Sequence, residues 1–158
     1  GAQYPNQEAA LASAGAAGTL SRYLRLLGFD VWYDNQYQDS ELIKLATENN
    51  RIILTRDLPL LKNKKVTRGY WLRNIAPKLQ VAEVLKRFDL LRQVKPLTRC
   101  LVCNGLIQSV AKQQIEALLP SKTKVFYQTF SQCHQCHKIY WQGAHYQQIL
   151  NLIAELLP

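Results

Sequence analysis

The residues best suited to chemistry are four cysteines in two matched pairs, Cys100 and Cys103 in "CLVC" and Cys133 and Cys136 in "CHQC". Two such knuckles brought to one point offer four sulfurs in a tetrahedron, which suits the soft and geometrically undemanding Zn2+ ion. The 29 residues between the pairs exceed the commonest ribbon spacing, and an inserted hairpin or helix in "AKQQIEALLP" would fill them. A closed shell of four sulfurs leaves no position for water, so the spacing predicts a structural ion and not a catalytic one. Two disulfides are the competing reading, and they would require a secreted origin. His134 and His137 flank the second pair. Either could replace a cysteine, but with four sulfurs available they read as bystanders or phosphate contacts.

A carboxylate poses the next question. In "RIILTRDLPLL" (51–61) an apolar strand runs into Thr55, Arg56 and Asp57, and a second apolar patch follows. Asp57 can cap a short helix opened by Leu58, Leu60 and Leu61. It can equally be a functional group at the carboxyl end of a parallel strand, where open α/β sheets place their ligands. Its surroundings are unusual for this sequence. From Asp30 to Asp57 there are six acids (Asp30, Asp34, Asp39, Glu41, Glu48, Asp57) against three bases, while from Leu90 to Ala154 Glu116 is the one acid against seven Lys and Arg. A plain nucleic-acid binder gains nothing from an acidic island, whereas a metal-dependent nuclease needs one.

The elements that must position these groups are legible in the periodicity. Leu20, Tyr23, Leu24 and Leu27 share one helical face, with Gly28 as its stop. "FDVWY" (29–33) reads as a strand. Asp39 or Ser40 caps a helix through Leu42, Ile43, Leu45 and Ala46, and "RIILT" is the next strand. "GYWLR" (69–73) is another, and Pro77 opens a helix through Val81, Val84, Leu85 and Phe88. Strands alternating with helices at short spacing predict an α/β fold with a parallel sheet. Residues 1–17, with "EAALASAGAAG", read as Ala-rich low complexity with little to pack. Composition shifts near Pro96, which predicts a boundary between an α/β domain at 18–92 and a cysteine-bearing module at 97–158 that ends in the helix "HYQQILNLIAELL".

With 158 residues and 47% hydrophobic content, the sequence can build a real core and is not disordered throughout. No apolar run reaches the roughly 18 residues of a membrane span, and no secretory signal is visible. The expected setting is cytoplasmic, with no membrane and no small-molecule cofactor. A net charge of +9 and a pI near 9.5 point to a polyanionic partner, nucleic acid before membrane. Phe126, Tyr127, Phe130, Tyr140, Trp141 and Tyr146 crowd the cysteine region; they can stack on unpaired bases or form the core of a small ribbon.

The ordered set "GTLSRYLRLLGFDVWYDN", "DSELIKLA", "RIILTRD", "VTRGYWLR", "CLVCNG", "CHQC" and "KIYWQGAHY" resembles the bacterial PIN-like ribonuclease family with a C-terminal zinc ribbon. Relatives of that family form the C-terminal domain of the Mut-seven type of exonuclease. The likeness runs over residues 18 to 150. It implies a three-layer PIN-like α/β domain followed by a zinc ribbon and a C-terminal helix, with metal-dependent cleavage of single-stranded or structured RNA. It further implies Asp57 and Glu41, with Asp39, as catalytic carboxylates holding Mg2+ or Mn2+, beside a structural Zn2+ on the four cysteines. Arg22, Arg56 and Arg73 are candidates for gripping the RNA backbone, with surface salt-bridging as the alternative for each; tRNA, rRNA and the ribosome are the candidate partners. The resemblance also marks a departure. Four residues before Gly18, where the family ends its first strand in an aspartate, this sequence has Ala14, which implies weak metal binding and little cleavage. The other functions that fit are a non-catalytic RNA- or ribosome-binding protein and, more weakly, a protein-interaction adaptor built on the ribbon.

Overall fold

The computed structural model describes residues 10–157, so the first nine residues of the Ala-rich segment lie outside the described residues. Four strands form a parallel sheet: β1 (Ala10–Ala14), β2 (Asp30–Asp34), β3 (Ile52–Thr55) and β4 (Gly69–Trp71), in the order β2-β1-β3-β4. Alternation along these strands sorts the side chains into two cores. Leu11, Val31, Ile52 and Leu54 face one core, and Ala12 and Ile53 the other.

Helices cover both faces. On the first lie α1 (Gly18–Leu26), α4 (Pro77–Arg87) and α7 (Ala144–Leu156), through Leu20, Leu24, Val81, Val84, Ile149 and Ile153. On the second lie α2 (Asp39–Glu48) and α3 (Leu58–Leu61), through Leu42, Ile43, Ala46 and Leu60. Each fully buried leucine here contributes about 1.5–3 kcal/mol of transfer free energy. The parallel α/β sheet expected from the sequence is the one observed, and its three-layer build follows from these two cores. Among the described residues, no helix is long and apolar enough to cross a membrane.

The largest difference from the sequence reading is β1. The Ala-rich segment, read as having little to pack, supplies a central strand hydrogen-bonded on both sides, with Leu11 fully buried. Small residues suit this place, because helices press on both faces of the strand. Ser13, also buried, satisfies its hydroxyl on Ser21 of α1 at 2.6 Å. Two boundaries shift for identifiable reasons. Glu41 reaches back to the Gln38 backbone N–H at 3.3 Å, so the cap of α2 is Gln38, one residue earlier than expected. Strand β4 stops at Trp71 because the Glu83 carboxylate takes the backbone N–H groups of Arg73 and Asn74, at 2.8 and 3.0 Å.

The remaining residues form an antiparallel sheet of β5 (Ile107–Val110), β6 (Phe130–Cys133) and β7 (Ile139–Trp141), with α5 (Lys112–Ile115) and α6 (Ser121–Phe126) inserted between β5 and β6. This hairpin sheet is tied to the parallel one by specific bonds. Strand β2 is an edge, and an unpaired edge must be covered. Asn104 accepts the Val31 N–H at 2.9 Å, and Arg25 donates to the Val31 carbonyl at 2.8 and 3.0 Å while also reaching the carbonyls of Leu101 and Val102. Gly28 closes α1 with φ +94°; a Cβ there would stand 2.3 Å from the Lys95 carbonyl oxygen.

Candidate functional site

The cysteines are brought together. Their ligand atoms all lie within 4.8 Å of one another, and among the described residues no other set of three or more His, Cys, Asp or Glu does this. Cys100 comes from the chain entering β5, Cys103 from the turn that follows, Cys133 from the end of β6 and Cys136 from the β6–β7 turn. The Cys100–Cys136 and Cys103–Cys133 sulfurs are 3.7 and 3.3 Å apart. These are far from a bonded sulfur pair and near the edge of about 3.8 Å that a tetrahedron with about 2.3 Å metal–sulfur bonds requires.

Two further observations fit a cation. Backbone N–H groups point at the sulfurs: Gly105 at Cys103, and Gln135 and Cys136 at Cys133, each at 3.4 Å. Burial works against charge on Cys133, yet the N–H groups of Cys136 and Gln135 outweigh it and bring the thiol down to about 7. At Cys103 burial wins and pushes the thiol up to about 12. Four adjacent thiols cannot all ionise without a positive ion to share. Gly105 is needed here, because a Cβ would lie 2.8 Å from the Cys133 sulfur. Thus the four cysteines are positioned to hold a metal ion.

The second candidate is the carboxyl edge of the parallel sheet. Helix α1, leaving β1, and helix α3, leaving its neighbour β3, pack on opposite faces. That divergence makes the carboxyl ends of β1 and β3 the switch point of the sheet, the place where open α/β sheets form their ligand crevice. Ala14 ends β1 at that point, and Asp57 stands two residues past the end of β3. Asp39 and Glu41 lie in the first turn of α2, on the same face of the sheet as α3.

Asp57 does cap α3: its carboxylate accepts the Leu60 N–H at 3.1 Å. Capping occupies one oxygen of an exposed carboxylate at that edge, so the two readings of Asp57 do not exclude each other. Asp39, Glu41 and Asp57 are all exposed. Among the described residues, these carboxylates form no set of three at metal-ligand spacing.

Two carboxylates outside the expected site set also stand out. Asp34 ends β2 directly opposite Ala14 in the ladder, on the same face, and its position at a strand's carboxyl end is the signal that singled out Asp57. Glu83, on α4, accepts the Tyr70 hydroxyl at 2.6 Å, the Arg73 and Asn74 N–H groups, and the Asn74 amide at 2.7 Å. Burial opposes its charge, but the Arg73 N–H, the Tyr70 hydroxyl and the Asn74 donors outweigh that and hold its pKa at about 2. Nothing in the local sequence announces such a role, because Glu83's partners come from β4 and the loop after it.

The acidic island also divides. Asp30 lies at the opposite, amino edge, in a forked pair with Arg51 at 2.8 and 2.9 Å and a further bond from Asn104 at 2.7 Å. Arg51 is buried and stacks 3.7 Å from the Trp32 ring centre. Asp30 is therefore a structural carboxylate.

Of the candidate arginines, Arg56 and Arg73 share the carboxyl edge. They stack with aromatic rings, Arg56 on Trp71 and Arg73 on Tyr70 and Trp71, at 4.9–5.5 Å. Arg56 also donates to the carbonyls of Leu72 and Arg73 at 2.7 and 2.9 Å. Arg22 is elsewhere, on the exposed side of α1, where it lines a groove beside the cysteine hairpins.

Comparison with known proteins adds one match. The model of the family described as the Mut7-C RNAse domain matches residues 15–153. No curated protein and no solved structure matches this chain.

Proposed function

The chain belongs to the Mut7-C RNAse domain family, and on that premise we propose that it is an RNA-binding, PIN-like ribonuclease whose divalent-metal site is short of one carboxylate. The observation that supports this reading is the switch point of the parallel sheet at the carboxyl ends of β1 and β3. Asp57 flanks it, Asp39 and Glu41 stand at the start of the helix packed on the same face, and Asp34 lies across the ladder from Ala14. Carboxylates gathered at one edge would hold Mg2+ or Mn2+ through a few direct bonds and several retained waters. Such an ion would activate a water and neutralise charge on the scissile phosphate. Arg56 and Arg73, on aromatic supports at the same edge, would hold the RNA backbone on either side.

The cysteine cluster carries a structural Zn2+ in this account, and reduced thiols fit a cytoplasmic setting. Residues 10–92 would carry the catalytic edge, because β1 supplies one side of it, and 97–158 the ribbon and closing helix. Ala14 sits where the central ligand would be, so the native chain binds RNA but cleaves it poorly. That residue favours a second reading, a non-catalytic binder of RNA such as tRNA, rRNA or the ribosome.

The test is Mn2+ binding, followed by the paramagnetic signal of the free ion, in the native chain and in Ala14→Asp. The reading expects the added carboxylate to tighten binding at least about 10-fold. Equal binding by both would overturn it, since the crevice would then not be the metal site.

A further inference from the structure

We propose that a groove on the other side of α1 binds an unpaired nucleotide of single-stranded RNA. This proposal rests on the RNA reading above and adds a site to it. The groove has a volume of about 500 Å3, within the roughly 300–1,000 Å3 typical of small-ligand sites. It runs between α1, the first cysteine hairpin, β7 and the first turn of α7. Buried Leu26 and Ile149 line it on the side of the sheet.

Its walls match one chemistry. Arg22, Lys138 and His145 are exposed along it, and none of its lining residues is an Asp or Glu. That is a one-sign, hydrogen-bond-donating surface suited to phosphate. Between these donors stand Tyr140 and Tyr146, each half-buried. The hairpin sheet has its own core contact in Phe130, nearly fully buried and packed on Trp141. Tyr140 is held by its hydroxyl, 2.9 Å from the Cys100 sulfur. Trp141, the next residue of β7, points to the opposite face of the hairpin sheet and packs on Phe130, with ring centres 6.3 Å apart. Fixed aromatic faces interleaved with cationic donors form a platform for stacking unpaired bases, and stacking tolerates any base because every base has a π-face.

A duplex cannot use such a site, because its bases are already stacked; a loop or free end can. The position also suits the edge described above. Arg22 lies one helical turn from Gly18, about 6 Å along α1, and Gly18 is where the helix leaves the carboxyl edge. An RNA strand crossing the crevice could therefore set a neighbouring nucleotide in the groove.

The test is fluorescence anisotropy with 5′-labelled hexauridylate and with a blunt 12-base-pair RNA duplex, using metal-loaded protein without added Mg2+ or Mn2+. The native chain is expected to bind hexauridylate. Tyr146→Ala should weaken that binding about 10-fold, Tyr146→Phe should keep it, and Arg22→Gln should weaken it and lower its salt dependence. Duplex binding should be unchanged by Tyr146→Ala. If the native chain does not bind hexauridylate, or if Tyr146→Ala and Arg22→Gln bind it as well as the native chain, the groove is not the site. Cleavage by Ala14→Asp in Mn2+ is read separately. Cleavage with unaffected groove variants overturns only the groove, and weakened groove variants without cleavage overturn only the nuclease edge.

Discussion

The Asn104 side-chain amide donates to the Asp30 carboxylate at 2.7 Å, across 74 positions of sequence, while its oxygen accepts the Val31 N–H. Asn104 directly follows Cys103, so the cysteine cluster is coupled to the edge of the parallel sheet. We expect one Zn2+ per chain by elemental analysis. Cys103→Ser should lose it, and hydrogen exchange at the Val31 amide should then accelerate along with exchange in the hairpin sheet. Full zinc content in Cys103→Ser, or acceleration confined to β5–β7, would count against this coupling.

The Arg51–Asp30 pair makes the next prediction. Arg51 is buried, donates to the Leu11 carbonyl at 3.1 Å, and is neutralised by Asp30. Asp30→Asn would leave that guanidinium without its counter-charge. Complete burial would make the loss about 3–5 kcal/mol. Because the Asp30 side chain keeps 25% of its exposure, we expect about 1–3 kcal/mol, measured by urea denaturation. A double-mutant cycle with Arg51→Met should show strong coupling.

Much of this fold was legible in the sequence, because α1, α2, β3 and α4 carry their apolar residues at regular spacing. Strand β1 was not, because its core-facing positions include alanine and serine, and only their two-sided burial makes them a strand. The cysteine cluster was legible from spacing alone. Asp30 was counted in the acidic island although it lies at the other end of the sheet, because composition counts charges without knowing which end of a strand they occupy. Glu83 was invisible because its partners, the Tyr70 hydroxyl, the Arg73 and Asn74 N–H groups and the Asn74 amide, meet it through the fold and follow no helical or strand spacing.

That hub makes stability pH-dependent. Glu83 is held at about 2, below its ordinary 4.5. Its contribution is therefore complete above pH 4.5 and is lost as the pH falls toward 2. Asp30 is also lowered, since Arg51 and Asn104 outweigh its burial, and it acts in the same direction. Glu83→Gln should show a shallower loss of stability than the native chain between pH 4.5 and 2, by denaturant midpoints at each pH. Parallel curves would remove Glu83 from this role.

RNA affinity should fall linearly on a log–log plot against salt, through counterion release. Replacing Arg73 by Gln should reduce the slope by about 0.7, the value of one phosphate contact on a single strand. An unchanged slope would place Arg73 outside the RNA path and return it to a surface role.

The central claim is that the crevice at β1 and β3 is a metal-dependent nuclease site missing one ligand. The most direct measurement is the cleavage rate of a labelled single-stranded RNA in Mn2+ by three proteins: the native chain, Ala14→Asp, and Ala14→Asp combined with Asp57→Asn. The account predicts slow or absent cleavage by the first. It predicts a rise on the order of 100-fold in the second, equivalent to about 3 kcal/mol of transition-state stabilisation, and loss of that gain in the third. An Ala14→Asp protein that folds and binds RNA yet cleaves no faster than the native chain, or whose cleavage survives Asp57→Asn, would contradict it.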